Sequence, residues 1–242
     1  MKISVVMIDG GFRDSVHSAE SFSVQEFPKN DYEILWVDYY DIPHPRLVEL
    51  PHVHVSLLEN PKSRTYHASH CFNYGIIQAK GEIIVLPDAD QIVRPDFLSN
   101  TWSLHEKCQN LAIYSYRYNE PKQNVLQCFD IEELEKKCVC SNPRNYGACL
   151  SVRKKWLENV NGYEMHEVFS GGFHANGYDL NVRLSLLGLA VQWERSLPVY
   201  HPWHPYTMVN DPAYKTQFSF VEWRLKSMDY RTFNGIDEKN NR

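Results

Sequence analysis

Apolar and polar positions follow two different periods along the first hundred residues, and the switches between them mark the elements. The run "ISVVMI" (3–8) is unbroken and β-branched and stops at Asp9-Gly10-Gly11, the pattern of a strand covered on both faces and followed by a turn. Val16, Ala19, Phe22 and Phe27 then recur at near-helical spacing up to Pro28. "YEILWVDYYD" (32–41) reads as a second buried strand, and "HVHVSLL" (52–58) alternates as a third. Ala68, Phe72, Ile76 and Ala79 share one helical face closed by Gly81, and "EIIVLP" (82–87) is the fourth strand. This order requires crossover connections, so the expected fold is α/β, with a mostly parallel central sheet and helices on both faces. Ligands bind such sheets outside the carboxyl ends of the strands, where Asp9, Asp38 and Asp88 stand.

Past residue 100 the pattern is less regular. "LAIYSYRY" (111–118) reads as a strand, "DIEELEKK" (130–137) and "RKKWLENV" (153–160) as short helices, and "DLNVRLSLL" (179–187) as a helix stopped by Gly188. "AVQW" and "LPVYH" are strands or extended segments. A Pro-rich stretch, "HPWHPYTMVNDP", precedes a final helix from near Pro212, with Tyr214, Phe218, Val221 and Leu225 on one face and Lys215, Arg224 and Lys226 also in the segment. That helix can dock on the body, pair subunits, or lie on a membrane surface; docking is the plainer reading.

"GEIIVLPDADQIVRPDF" (81–97) leaves a buried strand and at once presents Asp88 and Asp90. In an extended segment both carboxylates face one spot, where either water solvates the pair or a cation sits between them. His201 and His204 in "VYHPWHP" flank prolines, where a histidine also reads as a loop residue packed on Trp203. The net charge of -5 argues against a nucleic-acid partner and mildly against anionic membranes. Six cysteines without a C-x-x-C pair read as reduced thiols. No run approaches the roughly 18 apolar residues of a membrane span, and the first residues lack a signal-peptide pattern, so a cytoplasmic setting is expected.

The order of "ISVVMI", "EILWVDYYD", "ASHCFNYGIIQAKGEIIVLPDADQIVRPDFL", "GACLSVRKKWLENVNGYE", "GYDLNVRLSLLG" and "VYHPWHP" resembles family 2 glycosyltransferases with the GT-A (nucleotide-diphospho-sugar transferase) fold, over roughly residues 1 to 205. The resemblance implies a nucleotide-binding half (1–100), an acceptor-binding half (101–205) and a helical appendage (206–242). It also implies a nucleotide-diphosphate sugar donor, UDP-sugar first and GDP- or dTDP-sugar next, and a glycan or lipid-linked acceptor. Asp88, Asp90 and His201 would hold Mn2+ or Mg2+, with Asp88 also nearer the ribose. Asp9, Gly10, Asp38, Tyr39, Arg64, Asn73 and Ala89 would contact the nucleotide sugar. Tyr39 replaces the second acid of the family's V-D-D pattern, and Phe72 stands where an arginine often precedes Asn73, leaving Arg64 as a phosphate contact.

The family's catalytic base lies in an E-D motif ahead of a D/E-L-x-x-R helix, and here Asn176-Gly177 occupy those positions. Asp179 is the first replacement and Glu167 the second, with Glu164 also available; Asp179 with Arg183 at i+4 equally reads as helix stabilisation. The expected function is metal-dependent sugar transfer, with inversion at the anomeric carbon. The alternatives are a metal-dependent hydrolase of nucleotide-sugar diphosphates and a non-catalytic sugar-nucleotide or glycan-binding module.

Overall fold

Every residue of β1 (Ile3–Asp9) and β2 (Tyr32–Asp38) is buried, as their unbroken apolar runs require. The computed structural model describes residues 1–13, 15–41, 43–122, 130–171, 175–204 and 214–237. It sets the two strands parallel and in register from Ile3 against Tyr32 to Asp9 against Asp38. β3 (Val53–Leu57) adds parallel to β2, and β4 (Ile83–Pro87) parallel to β1. Four more strands complete an eight-stranded sheet of order β3-β2-β1-β4-β7-β6-β8-β5. β7 (Cys149–Arg153) runs antiparallel to β4 and to β6 (Leu111–Asn119). β8 (Ala190–His201) is parallel to β6, and the two-residue β5 (Ile92–Val93) pairs antiparallel with the end of β8.

The helices are α1 (His17–Ser23), α2 (Ala68–Gln78), α3 (Phe97–Lys107), α4 (Ile131–Lys137), α5 (Lys154–Asn159), α6 (Asn176–Leu186) and α7 (Tyr214–Ser227). Alternate residues of the strands feed two apolar cores. One joins Val6, Leu35 and Val37 to Ile76 of α2 and Leu180 and Leu184 of α6; the other joins Val5, Ile34 and Trp36 to Phe22 of α1 and Leu98 of α3. α2 lies close on β1 because Gly75 has no side chain: a Cβ there would sit 2.3 Å from Val6 Cγ1. Between the strands, buried Glu33 accepts hydrogen bonds from the Ser4 hydroxyl (2.6 Å) and the Lys80 amide (2.7 Å), while Ser4 Oγ accepts from the Gly81 amide (2.8 Å). Both partners of each bond are satisfied, so this polar cluster fixes the turn into β4 without an orphaned group.

Several expectations are adjusted. "AVQW" and "LPVYH" belong to one 12-residue strand, β8, whose pairing with β6 shifts register between Ser115 and Arg117. α6 begins at Asn176, ahead of Asp179. α7 buries Gln217, Val221 and Arg224, while Leu225 is 40% exposed. The helix is rotated away from its apolar stripe because Arg224 is drawn inward by two buried carboxylates, described below. Cys128, the helix start near Pro212 and the side chain of Tyr214 lie outside the described residues.

Candidate active site

The parallel strands deliver their carboxyl ends to one edge of the sheet, and the β5–β8 pairing completes the site. Ile92 lies opposite Tyr200, so Asp90, in the loop from β4 to β5, meets His201 at the end of β8. Asp90 Oδ2 is 3.6 Å from His201 Nε2, 3.4 Å from His204 Nε2 and 3.4 Å from Arg13 Nη2. The two imidazole Nε2 atoms are themselves 3.2 Å apart. Asp90, His201 and His204 each offer one ligand atom, and these lie within 4.8 Å of one another. Asp90 Oδ1 is buried without a hydrogen-bond partner. A buried carboxylate oxygen left unpaired beside converging imidazoles fits a bound cation, which would satisfy it. One carboxylate with two imidazoles suits a transition ion such as Mn2+ better than Mg2+, which favours oxygen ligands.

Asp88 does not join this triad. Its Oδ2 faces Gln91 Nε2 (3.3 Å) and Arg117 Nη1 (3.5 Å). Burial and the charge of Asp90 push the Asp88 carboxyl up to about 7, against the pull of Arg117 and Arg13. Burial also opposes charge on Asp90, but Arg13 and the hydrogen bonds from His201 and His204 outweigh it and hold its carboxyl well below the usual carboxylate range. The two acids are thus driven apart, the Asp88 carboxyl up and that of Asp90 down.

Arg13 was not among the expected residues, and it is the hub of this edge. It holds Asp9 Oδ1 through Nη1 at 2.8 Å and Asp90 through Nη2. Its signal in the sequence is a cation at i+4 from the acid that ends β1. His17 is a second addition, with Nε2 3.0 Å from the Asp90 carbonyl and Nδ1 2.6 Å from Ser15 Oγ.

Of the expected residues, Asp88, Asp90 and His201 line the cleft at this edge, which has a volume of about 1380 Å³ and is also lined by Arg13, Arg117 and His204. Asp9 stands behind Arg13. Gly10 is packed under Phe12 and Tyr66, where a Cβ would come within 2.7 Å of both rings. Asp38 is buried and accepts the Tyr40 amide at 2.9 Å. Burial raises its carboxyl to about 6, and the Tyr40 amide offsets part of the rise. Tyr39 is fully buried, edge-on to Tyr40 and Tyr66, so its ring faces protein rather than the surface. Ala89 is buried in the second core. Asn73 pins Tyr163 by accepting from its amide (2.7 Å) and donating to its carbonyl (2.9 Å). Arg64 is exposed and donates to Asn60 Oδ1 at 2.8 Å, away from the cleft lining.

Neither carboxylate expected as the base reaches the cleft lining. Glu167 is exposed on a single 3-10 turn, Glu167–Phe169. Asp179 has no exposure: Oδ2 accepts from Arg183 Nε (2.8 Å) and Oδ1 from Arg224 Nε (2.7 Å). Arg224 Nη2 also reaches Glu164 at 2.8 Å, and Arg183 donates to the carbonyls of Val160 and Gly162. This buried tetrad of two acids and two arginines locks α7 against α6.

No family model matches the sequence, and it matches no curated protein. Solved structures do match. TarS residues 1–349 from S. aureus, in complex with UDP-GlcNAc, superpose with a TM-score of 0.68 at 13% identity, over 91% of this chain and 65% of that one. The fold is GT-A. Mannosyltransferase PcManGT from Pyrobaculum calidifontis, in complex with GDP-Man and Mn2+, gives 0.60 at 11% identity over 94% of this chain and 72% of that one. GalNAc-T7 with UDP, GalNAc and Mn2+ gives 0.66 at 13% identity over 94% and 49%.

Proposed function

We propose that this chain is a metal-dependent glycosyltransferase of the family 2 type, moving a hexose-type sugar from a nucleotide-diphosphate donor to a hydroxyl of a glycan or lipid-linked acceptor with inversion. The observation that carries the reading is the convergence of Asp90, His201 and His204 at the carboxyl edge of a GT-A sheet. The metal, when bound there, would stabilise the charge gathering on the diphosphate leaving group. Arg13 and Arg117 approach the same spot on separate elements, and each can donate to phosphate oxygens. Asp88, with its carboxyl near 7, can hydrogen-bond a ribose or sugar hydroxyl. A UDP-sugar is the first donor of this reading, with a GDP- or dTDP-sugar next; neighbours solved with UDP-GlcNAc, UDP and GDP-Man support a nucleotide-sugar donor.

Residues 1–100 would hold the nucleotide and 101–205 the acceptor, with 206–242 as a helical extension. No helix among the described residues is long and apolar enough to cross a membrane. A cytoplasmic setting, with peripheral contact through α7 at an inner membrane face, is part of the proposal.

Thermal unfolding with UDP, GDP and dTDP, with and without Mn2+, tests the reading on wild type and Asp90→Asn. A ligand at 100 times its Kd stabilises the native state by about 2.7 kcal/mol. The expected outcome is an upward shift with one nucleotide that requires Mn2+ and is lost in the variant; absence of any shift would sink it. Asn176-Gly177 in place of E-D favours a second reading, a sugar-nucleotide-binding module without turnover. Transfer from a labelled donor separates the two.

A further inference from the structure

Transfer with inversion needs a group that takes the acceptor's proton within hydrogen-bond reach, and the carboxylates of the cleft narrow the choice. Among the described residues that line it, the acids are Asp88, Asp90, Glu120 and Glu222. Asp90 faces the histidine pair, and Asp88 faces Arg117 and Gln91. Glu120 is buried and accepts the Trp203 amide at 2.9 Å. Glu222 differs from all three. It projects from α7 into the cleft, is exposed, and makes no hydrogen bond or ion pair among the described residues.

The wall next to Glu222 is aromatic. Phe218 lies one turn earlier on the same helix, and residues at i and i+4 share a face. Its ring stacks on Tyr178 of α6, with centroids 5.7 Å apart and planes 29° from parallel. Tyr178 in turn packs on Tyr146 at 5.1 Å. All three rings line the cleft. The C–H face of a pyranose is apolar and slightly positive, so it is attracted to the negative face of an aromatic ring. A sugar lying on Phe218 and Tyr178 would present its hydroxyls to Glu222.

Resting on the transferase reading above, we propose that Tyr146, Tyr178 and Phe218 form the acceptor subsite for a saccharide ring and that Glu222 is the general base. Glu222 takes the proton of the acceptor hydroxyl as that oxygen bonds to the anomeric carbon. The bond from that carbon to the diphosphate oxygen breaks, and its electron pair leaves with the nucleotide diphosphate. Glu222 then returns its proton to water. The C-terminal helix would thus supply the carboxylate that the start of α6 lacks.

The test combines Mn2+-dependent nucleotide melting shifts with transfer to a panel of p-nitrophenyl pyranosides, on wild type, Glu222→Gln and Tyr178→Ala. Glu222→Gln is expected to keep the melting temperature and the nucleotide shift. Its kcat should fall roughly 10²- to 10⁴-fold, and the acidic limb of kcat at saturating donor and Mn2+ should disappear. Tyr178→Ala should raise the acceptor KM by roughly two- to tenfold, the range for one lost aromatic contact, with kcat little changed. Glu222→Gln with wild-type kcat and an intact acidic limb overturns the base assignment. A wild type that shows the nucleotide shift but glycosylates no pyranoside overturns the acceptor assignment. Loss of the shift in wild type overturns the transferase reading itself, so the two failures are told apart.

Discussion

Asp179 carries the D-L-x-x-R signature that drew it into the candidate site, and it is buried between Arg183 and Arg224. Removing one partner of a buried ion pair leaves the other charge uncompensated, at about 3–5 kcal/mol. Arg224→Leu removes the ion-pair partner of Glu164, which keeps the Phe233 and Asn234 amides, and one of the two arginines of Asp179, and should lose up to that much stability in urea unfolding. Asp179→Asn should also lower stability, which an exposed catalytic acid would not do. Asp38 behaves in the opposite sense. Its folded carboxyl rises from an ordinary 3.8 to about 6, equivalent to roughly 3 kcal/mol. A raised acid contributes stability below the unfolded value and loses it as pH climbs through the folded one. Asp38→Asn should therefore melt above wild type at pH 8, with the gap closing toward pH 4; an unchanging gap would contradict the buried-anion account. At this scale the sequence exposed Asp88, Asp90 and His201 through local motifs. Arg117 escaped because its partner Asp88 lies far off in sequence, and Arg13 because its contact with Asp90 does, although Asp9 is only four residues away; the exchange of Asp88 for His204 in the triad turns on the pairing of β5 with β8.

Elements were legible where one period dominates. The first four strands and α2 follow from apolar runs and a single helical face. α3 and β7 did not stand out: α3 buries Thr101 and His105 beside Phe97 and Leu98, and β7 runs directly into α5. α7 misled for a related reason, since a buried arginine counts as polar in any pattern of hydrophobicity. Close contact between elements also leaves no periodic trace. Gly75→Ala would gain about 1 kcal/mol of helix propensity, yet its methyl would meet the stiff, β-branched Val6. Overpacking typically costs about 1–3 kcal/mol, so we expect a net loss, measured as a lower denaturation midpoint with an unchanged slope.

On the scale of the whole molecule, the cluster of Asp90, His201 and His204 ties the loop after β4 to the end of β8 across the outer strand pair of the sheet. A cation bound there would restrain β5 and residues 199–201 together, because opening that edge would separate its ligands. Hydrogen exchange with and without Mn2+ should show slower exchange at Ile92, Val93 and Tyr200, with little change at β3 on the far edge; uniform slowing would point to global stabilisation instead. The same long reach has a consequence for biosynthesis. A chain emerges at roughly 5–20 residues per second, so on the order of ten seconds separates the appearance of Asp90 from that of His201. During that interval the nascent protein carries Asp90 without His201 and His204, so a cation held by all three would be captured only after the last part of the sheet is made.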